Sequence, residues 1–406
     1  MFDFFWDTDD DPYQKASRDS NHYRTGRIGR DNVALLLSGM GKVNAARALS
    51  DLLSNYPNIR LALVVGICGG VPEPKTLGNK ELFQILLGDV VISSNIVQLD
   101  FGRQIPTGFQ VKKGGVKESI GKAERDVEIL LDSLKTPHSK IRLEKKADSV
   151  LKELQDSTTL ANSKITGERK AKYRHFGTAE DKLFSSDRVH RHKSNSSDCS
   201  CDDNNVCSLA LVSTCDEIGC DLGQVVTSRD RLMARQKWEN VVGEEGQEPQ
   251  SFATLIGTMG SSDTIIGSAK HRDQLTQEHS LIAFEMEGAD VWDTPKLSCI
   301  VIKGVCDYAD SHKNKKWQNY AAATAASTMK ALLELRTRPE GPLMSGNFQQ
   351  AQTNILTRLY PEMKDAWGEN TVIKSHHDRH VVGSWGSGWQ LNNQLYHCEE
   401  HGDHRI

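Results

Sequence analysis

An α/β fold follows from three features of the sequence. Apolar runs of strand length alternate with helix-period segments, glycine turns stop several of the runs, and an Ala-rich helix follows the last one. Val33–Leu37 is the first strand-length run, and Val43, Ala46, Leu49, Leu52 and Leu53 then recur at helical spacing. Leu61–Val65 reads as a buried strand stopped by Gly66, Gly69 and Gly70. Val90–Ser93 is announced by Gly88 and Asp89. Phe252–Ile256, Ile282–Phe284 and Ile300–Ile302 are further strands, and Tyr320–Leu335 is the Ala-rich helix, ended by Arg336, Arg338 and Pro339.

Composition divides the 406 residues into four stretches. Residues 1–112 and 251–336 carry the α/β pattern. Residues 113–250 form a polar insertion, expected to be partly disordered, with one amphipathic helix marked by Val127, Leu130, Leu131 and Leu134. Residues 337–406 read as an unstructured tail without periodicity, with the glycine-spaced Trp385 and Trp389. The 50 Lys and Arg against 54 Asp and Glu exclude the strong positive excess of a dedicated nucleic-acid binder. No apolar run is long enough to span a bilayer, and Met1–Asp11 lacks the pattern of a signal peptide. A cytoplasmic, reducing setting is therefore expected, in which the nine cysteines read as thiols or metal ligands.

Four short stretches could carry chemistry. Ser38-Gly39-Met40-Gly41-Lys42-Val43 lies between a strand and a helix, where backbone N–H groups can approach an anion or a ribose. Leu36 and Val43 stand where a P-loop needs Gly and Ser or Thr, and a tight turn is the plain alternative. Gly66-Ile67-Cys68-Gly69-Gly70 follows a strand, at the end where open α/β sheets bind ligands, and close packing at a turn explains it equally well. In Phe284-Glu285-Met286-Glu287-Gly288-Ala289 the two carboxylates would share one strand face and could accept from sugar hydroxyls; an acidic helix start is the alternative. In Lys303-Gly304-Val305-Cys306-Asp307 the final carboxyl group could give a proton to a leaving group, or simply cap the next helix.

In this order, the stretches resemble the nucleoside phosphorylase superfamily, above all its branch with methylthioadenosine/S-adenosylhomocysteine nucleosidase. Ser38–Ala45 is similar to the branch's early glycine turn, Gly66–Gly70 to the glycines after its central strand, and Leu87–Val91 to a strand start. Gly257–Ile266 resembles the segment beside the base, Met286-Glu287 the ribose pair, and Cys306-Asp307 the Ser-Asp catalytic pair. The likeness covers about residues 20–112 and 251–335, and the insertion resembles the version at the front of large fungal receptor-like proteins. It implies a three-layer α/β/α domain with a mixed, partly barrel-like sheet, and cleavage of the N-glycosidic bond of a purine nucleoside. Asp307 would act on the purine ring nitrogen as the bond breaks. Met286 and Glu287 would hold the ribose, Ile265 and Ile266 would flank the base, and Gly39, Gly41, Cys68 and Gly69 would line the site. No cofactor is required for this reaction; the nucleoside is the expected partner, and a homo-oligomer stays open.

Three departures shape the expectation. Val64 and Ile67 stand where the family's phosphorylases carry phosphate ligands, which favours water over phosphate as nucleophile. Met1-Phe2-Asp3-Phe4-Phe5-Trp6 resembles the helix after the family's first strand, so that strand and its water-activating glutamate are expected to be absent. Cys306 replaces a serine, and a thiol is the weaker donor. A catalytically degenerate nucleoside-binding or protein-interaction domain is therefore the alternative function. Separately, Cys199, Cys201, Cys207, Cys215 and Cys220 cluster in the insertion and suggest a zinc-stapled loop, with free thiols as the alternative. His376, His377, His380, His397 and Cys398 are weaker metal candidates in the tail.

Overall fold

The computed structural model describes residues 3–5, 19–74, 83–106, 108–111, 125–156, 172–192, 199, 201, 206–244, 252–295, 297–336, 372–374 and 397–399. The chain divides into two units: Phe2–Gln14, Tyr23–Leu35 and Arg336–Ile406 form the smaller, and Lys15–His22 and Leu36–Leu335 lie in the larger. The smaller unit holds Phe4–Phe5 (β1), Tyr23–Ile28 (β2) and most of Asp31–Leu36 (β3), in the order β1-β2-β3. Among the described residues at the start, Phe4 and Phe5 form a strand where a helix was expected. Phe4 and Phe5 pair antiparallel with Arg27 and Gly26, a role that suits aromatic residues. Val372–Lys374 and His397–Glu399 also pair antiparallel; the rest of the tail, with His376, His377, His380, Trp385 and Trp389, lies outside the described residues.

The larger unit runs α1 (Lys42–Asn55), β4 (Leu61–Gly70), β5 (Val90–Gln98) and a hairpin of β6 (Gly102–Ile105) and β7 (Gly108–Val111). Helices α2 (Arg125–Leu134), α3 (Pro137–Asp156), α4 (Ser208–Val212), α5 (Cys215–Ile218) and α6 (Asp230–Glu244) follow. The unit ends with β8 (Thr254–Ser261), α7 (Ala269–His279), β9 (Leu281–Glu285), α8 (Gly288–Trp292), β10 (Ser298–Asp307) and α9 (Trp317–Leu335).

The sheet is mixed, as expected, and closes into a barrel in the order β10-β4-β9-β8-β5. Pairs β4–β10, β5–β8 and β8–β9 are parallel; β4–β9 and β5–β10 are antiparallel. Strand β10 is buried along its length up to Cys306, which is why it reads as an almost unbroken apolar run. Its outer side packs under α9, whose small Ala residues let the helix come close. Helix α3 in turn packs on α9 through Leu143, Ala147, Val150 and Leu151, spaced as one helical stripe. Lys146 closes the edge of that contact on Glu334 (2.6 Å). The start of β5 is pinned by buried Asp89, which accepts from Leu86 N–H (2.8 Å), Ala253 N–H (2.9 Å) and Arg231 Nη2 (2.8 Å).

His175 makes one part of this core sensitive to pH. Its ring packs edge-on to Trp317 and Tyr320, and Gly177 N–H donates to its Nδ1 (3.0 Å), so the ring sits there neutral. Burial, reinforced by Arg235, lowers its pKa from the ordinary 6.5 to about 3. Between those values the unfolded chain binds a proton that the folded chain refuses. Stability is complete above about pH 6.5 and falls toward pH 3, by at most about 1.4 kcal/mol per pH unit from this group. Urea titrations across that window should show the slope, and a His175→Asn variant should lose that share of it.

Candidate active site

Register brings the candidate residues to one end of the barrel. Asp307 of β10 pairs with Gly69 of β4, Gly69 with Phe284 of β9, and Phe284 with Gly260 of β8. A register shift between Val305 and Asp307 marks the end of β10. Gly69 leaves room for the acid: a Cβ there would lie 2.9 Å from Asp307 Oδ1 and 2.9 Å from the Ala309 Cβ. Asp307 does not cap a helix, since α9 begins only at Trp317. Its Oδ1 accepts from Ala309 N–H (2.8 Å), and its Oδ2 accepts from Lys313 Nζ (3.3 Å) and the Cys306 thiol (3.6 Å). The same thiol also lies 3.5 Å from the Cys68 carbonyl, so its single proton is shared between two acceptors. Burial pushes the Cys306 and Cys68 thiols well above the ordinary range, which leaves both protonated and inert.

The two glutamates do different jobs. Strand β9 ends at Glu285, so the shared strand face expected for Glu285 and Glu287 is not formed. The buried Glu285 carboxylate turns back and accepts from the N–H groups of Glu287 (2.9 Å) and Gly288 (2.8 Å), which caps α8. Glu287 sits at the cap position of that helix, with its side chain directed elsewhere. Lys303 of β10 joins them: its Nζ lies 2.6 Å from Glu287 Oε2 and 3.4 Å from Glu285 Oε2. Burial works against the charge on Lys303, but the two carboxylates outweigh it and hold its pKa above the ordinary lysine value.

The glycine turn before α1 meets the same cluster. Gly41 N–H donates to Glu287 Oε1 (3.2 Å), and Lys42 N–H donates to Asp263 Oδ1 (2.9 Å). Gly41 has φ 95°, and a Cβ there would lie 3.2 Å from Asp263 Oδ1, so glycine serves both shape and space. Lys42 Nζ binds Asp100 Oδ1 (2.5 Å), and Asp100 Oδ2 accepts from Asp263 N–H (3.0 Å). Partial burial raises the Asp100 pKa, but Lys42 and the Asp263 N–H together bring it below the ordinary carboxylate value. The positive end of α1 is thus met by the protein's own carboxylates.

The other expected residues separate. Met286 is half-buried between the two glutamates. Ile266 is buried in an apolar cluster with Val71, Phe284 and Ala309, which reaches the residue bonded to Asp307, whereas Ile265 is 59% exposed. Gly39 is exposed and lies against Asn44. Cys68 is buried and touches the site through its carbonyl. Val64 and Ile67 are half-buried within β4. The five cysteines of the insertion fall into two groups, completed by His190, His192 and His312. Sequence reading missed Lys303, Asp100, Asp263 and Lys313. The one visible signal was a lysine inside the apolar β10 run.

Residues 6–164 match the Phosphorylase superfamily. A nucleotide-binding leucine-rich repeat (NLR)-like protein of Hyaloscypha variabilis is 28% identical over 322 residues, 78% of this chain and 26% of that protein. A 5'-methylthioadenosine/S-adenosylhomocysteine nucleosidase of Maridesulfovibrio salexigens is 35% identical over 96 residues, 24% of this chain and 36% of that protein. The chain thus spans little more than a quarter of the first relative and a third of the second. Among solved structures, the S-adenosylhomocysteine nucleosidase of Streptococcus pyogenes aligns over 80% of this chain and 88% of its own, at 16% identity and a TM-score of 0.37. The futalosine hydrolase of Helicobacter pylori aligns over 80% and 88%, at 14% identity and a TM-score of 0.39. Among the described residues no helix is long and apolar enough to cross a membrane.

Proposed function

We propose that the chain, whose residues 6–164 match the Phosphorylase superfamily, cleaves the N-glycosidic bond of a purine nucleoside with water. The observation that carries the reading is the rung Asp307–Gly69–Phe284, with Glu287 three residues beyond it. Asp307 and Phe284 stand two strand spacings apart, about 10 Å, across the bare backbone of Gly69.

Asp307 faces the base. As the bond from the anomeric carbon to the base breaks, its electron pair moves into the purine, and Asp307 hydrogen-bonds and supplies the proton to a ring nitrogen. Glu287 holds the ribose hydroxyls and favours the positive charge that grows on the sugar. Water adds to the anomeric carbon, and its proton restores Asp307. The products are free purine and free sugar.

Water is favoured over phosphate because the nearby positive groups are already engaged. Lys303 is bound by Glu285 and Glu287, and the N–H groups at the start of α1 by Glu287 and Asp263. Val64 and Ile67 offer phosphate no polar side chain. Chromatography of adenosine, inosine and methylthioadenosine incubated with the chain, with and without phosphate, tests the reading. Free base should appear at a rate that phosphate leaves unchanged. A requirement for phosphate would overturn the hydrolytic assignment.

The match to an NLR-like protein over 78% of the chain favours a second reading, in which the domain binds a nucleoside as a sensor and does not cleave it. Measurable binding of a nucleoside without base release would select it.

A further inference from the structure

We propose that the segment around residues 190–220 holds two structural zinc ions, one bound by His192, Cys199, Cys201 and Cys207 and the other by His190, Cys215, Cys220 and His312. Within each group the ligand atoms lie within 4.8 Å of one another. The proposal stands apart from the functional reading above.

The spacing is that of metal ligands. For zinc at tetrahedral angles, with Zn–S about 2.3 Å and Zn–N about 2.0–2.1 Å, S···N edges are about 3.5 Å and S···S edges about 3.8 Å. In the first group His192 Nδ1 lies 3.2, 3.7 and 3.5 Å from the sulfurs of Cys199, Cys201 and Cys207, and the Cys199 and Cys207 sulfurs are 4.0 Å apart. In the second, His190 Nδ1 lies 3.6 and 3.2 Å from the Cys215 and Cys220 sulfurs, and His312 Nδ1 lies 3.6 and 3.7 Å from the same two. Hydrogen bonding does not account for this convergence. A ring nitrogen carries at most one proton, yet His192 Nδ1 faces three sulfurs. A disulfide does not account for it either, because the 4.0 Å separation is nearly twice an S–S bond of about 2.05 Å.

The surroundings prepare the ligands. Backbone N–H groups donate to sulfur at Cys199 (from Cys201, 3.4 Å), Cys201 (from Cys207, 3.3 Å) and Cys207 (from Ala210, 3.4 Å), bonds that strengthen when the sulfur is a thiolate. The far nitrogen of His190, Nε2, donates to the Ser213 carbonyl (2.9 Å), which leaves Nδ1 as the lone-pair nitrogen facing the sulfurs. Cys215 opens a short helix held by a Thr214–Glu217 capping box, and Gly219 in the left-handed region turns the chain so that Cys220 returns beside it.

The second ion has a long-range effect. His312 comes from the loop after β10, five residues beyond Asp307, and the other three ligands come from the insertion. The ring of His312 stacks on Phe184 (3.8 Å), and His190 N–H donates to Ser311 Oγ (2.9 Å). The ion therefore fastens the insertion to the loop that follows the candidate acid.

Metal analysis of the full chain, purified under reducing conditions and desalted after exposure to zinc, tests the proposal. It should return two zinc ions per chain, one for each group. The double variant Cys199→Ser/Cys207→Ser and the single variant His312→Ala should each lose about one. Absence of bound zinc overturns the proposal, and a single ion overturns the two-site form. Should the variants fail to fold, the unaltered chain loaded with cobalt decides. Intense visible bands with thiolate charge transfer are expected; the faint spectrum of six-coordinate cobalt, or thiols found oxidised to disulfides by mass, would overturn it.

Discussion

Replacing Asp307 by asparagine is expected to slow base release by about 10²–10⁴-fold, the usual contribution of a positioned acid or base. Asparagine keeps the shape of the side chain and can still accept from Ala309 N–H, which now donates to Asp307 Oδ1. What it lacks is a proton to give to the leaving base and a charge to pair with one. The exposed Lys313 loses its partner, a pair of a kind that contributes about 0–1 kcal/mol, and the Cys306 thiol keeps the Cys68 carbonyl as acceptor. The folded fraction and the melting temperature should therefore change little while kcat falls. Initial rates with methylthioadenosine, read beside a thermal melt, separate the two effects. A variant that keeps more than about a tenth of the activity would remove Asp307 from the chemistry.

Lys303→Met is expected to cost about 3–5 kcal/mol of folding stability, the usual penalty for leaving a buried charge without its partner. The methionine fills similar space, so packing is not the cause. Lys303 is the cation between Glu285 and Glu287, and both it and Glu285 are buried. Glu285 cannot swing out to water without releasing the Glu287 and Gly288 N–H groups it caps. Urea titration gives the number directly. A second substitution, Glu287→Gln, should restore part of the loss by removing one of the stranded charges, although it also removes the proposed ribose acceptor. A loss below about 1 kcal/mol would show that the pair is solvated after all.

Local signals were readable in the sequence where local physics decides the structure. The apolar runs at Leu61–Val65 and Ile300–Ile302 became β4 and β10, but Gly66, Gly69 and Gly70 do not stop β4 as expected: the strand runs through them to Gly70, because β10 and β9 pair with them there. Asp307 by itself read as a helix cap, and it stood out only through the resemblance carried by the glycine turns and the Met286-Glu287 pair. What depends on distant partners was not readable. The pairing of Glu287 with Lys303 needs the end of β9 and β10 to be brought together, and the occupation of the α1 start by Asp263 needs a partner 221 residues away. Helix α3 carries its stripe at Leu143, Ala147, Val150 and Leu151, but abundant lysine and glutamate dilute it to the eye. The cysteines were visible as a density along the chain. Their division into two groups was not, because it is set by His190, His192 and His312, the last 92 residues from Cys220.

The measurement that bears most directly on the account is the time course of free purine and free sugar formed from a purine nucleoside in phosphate-free buffer. The full chain should produce both in equal amounts, and its Asp307→Asn variant should be slower by at least about a hundredfold. Equal and negligible release from the two proteins, with the nucleoside still bound, would contradict cleavage and leave a domain that holds a nucleoside intact.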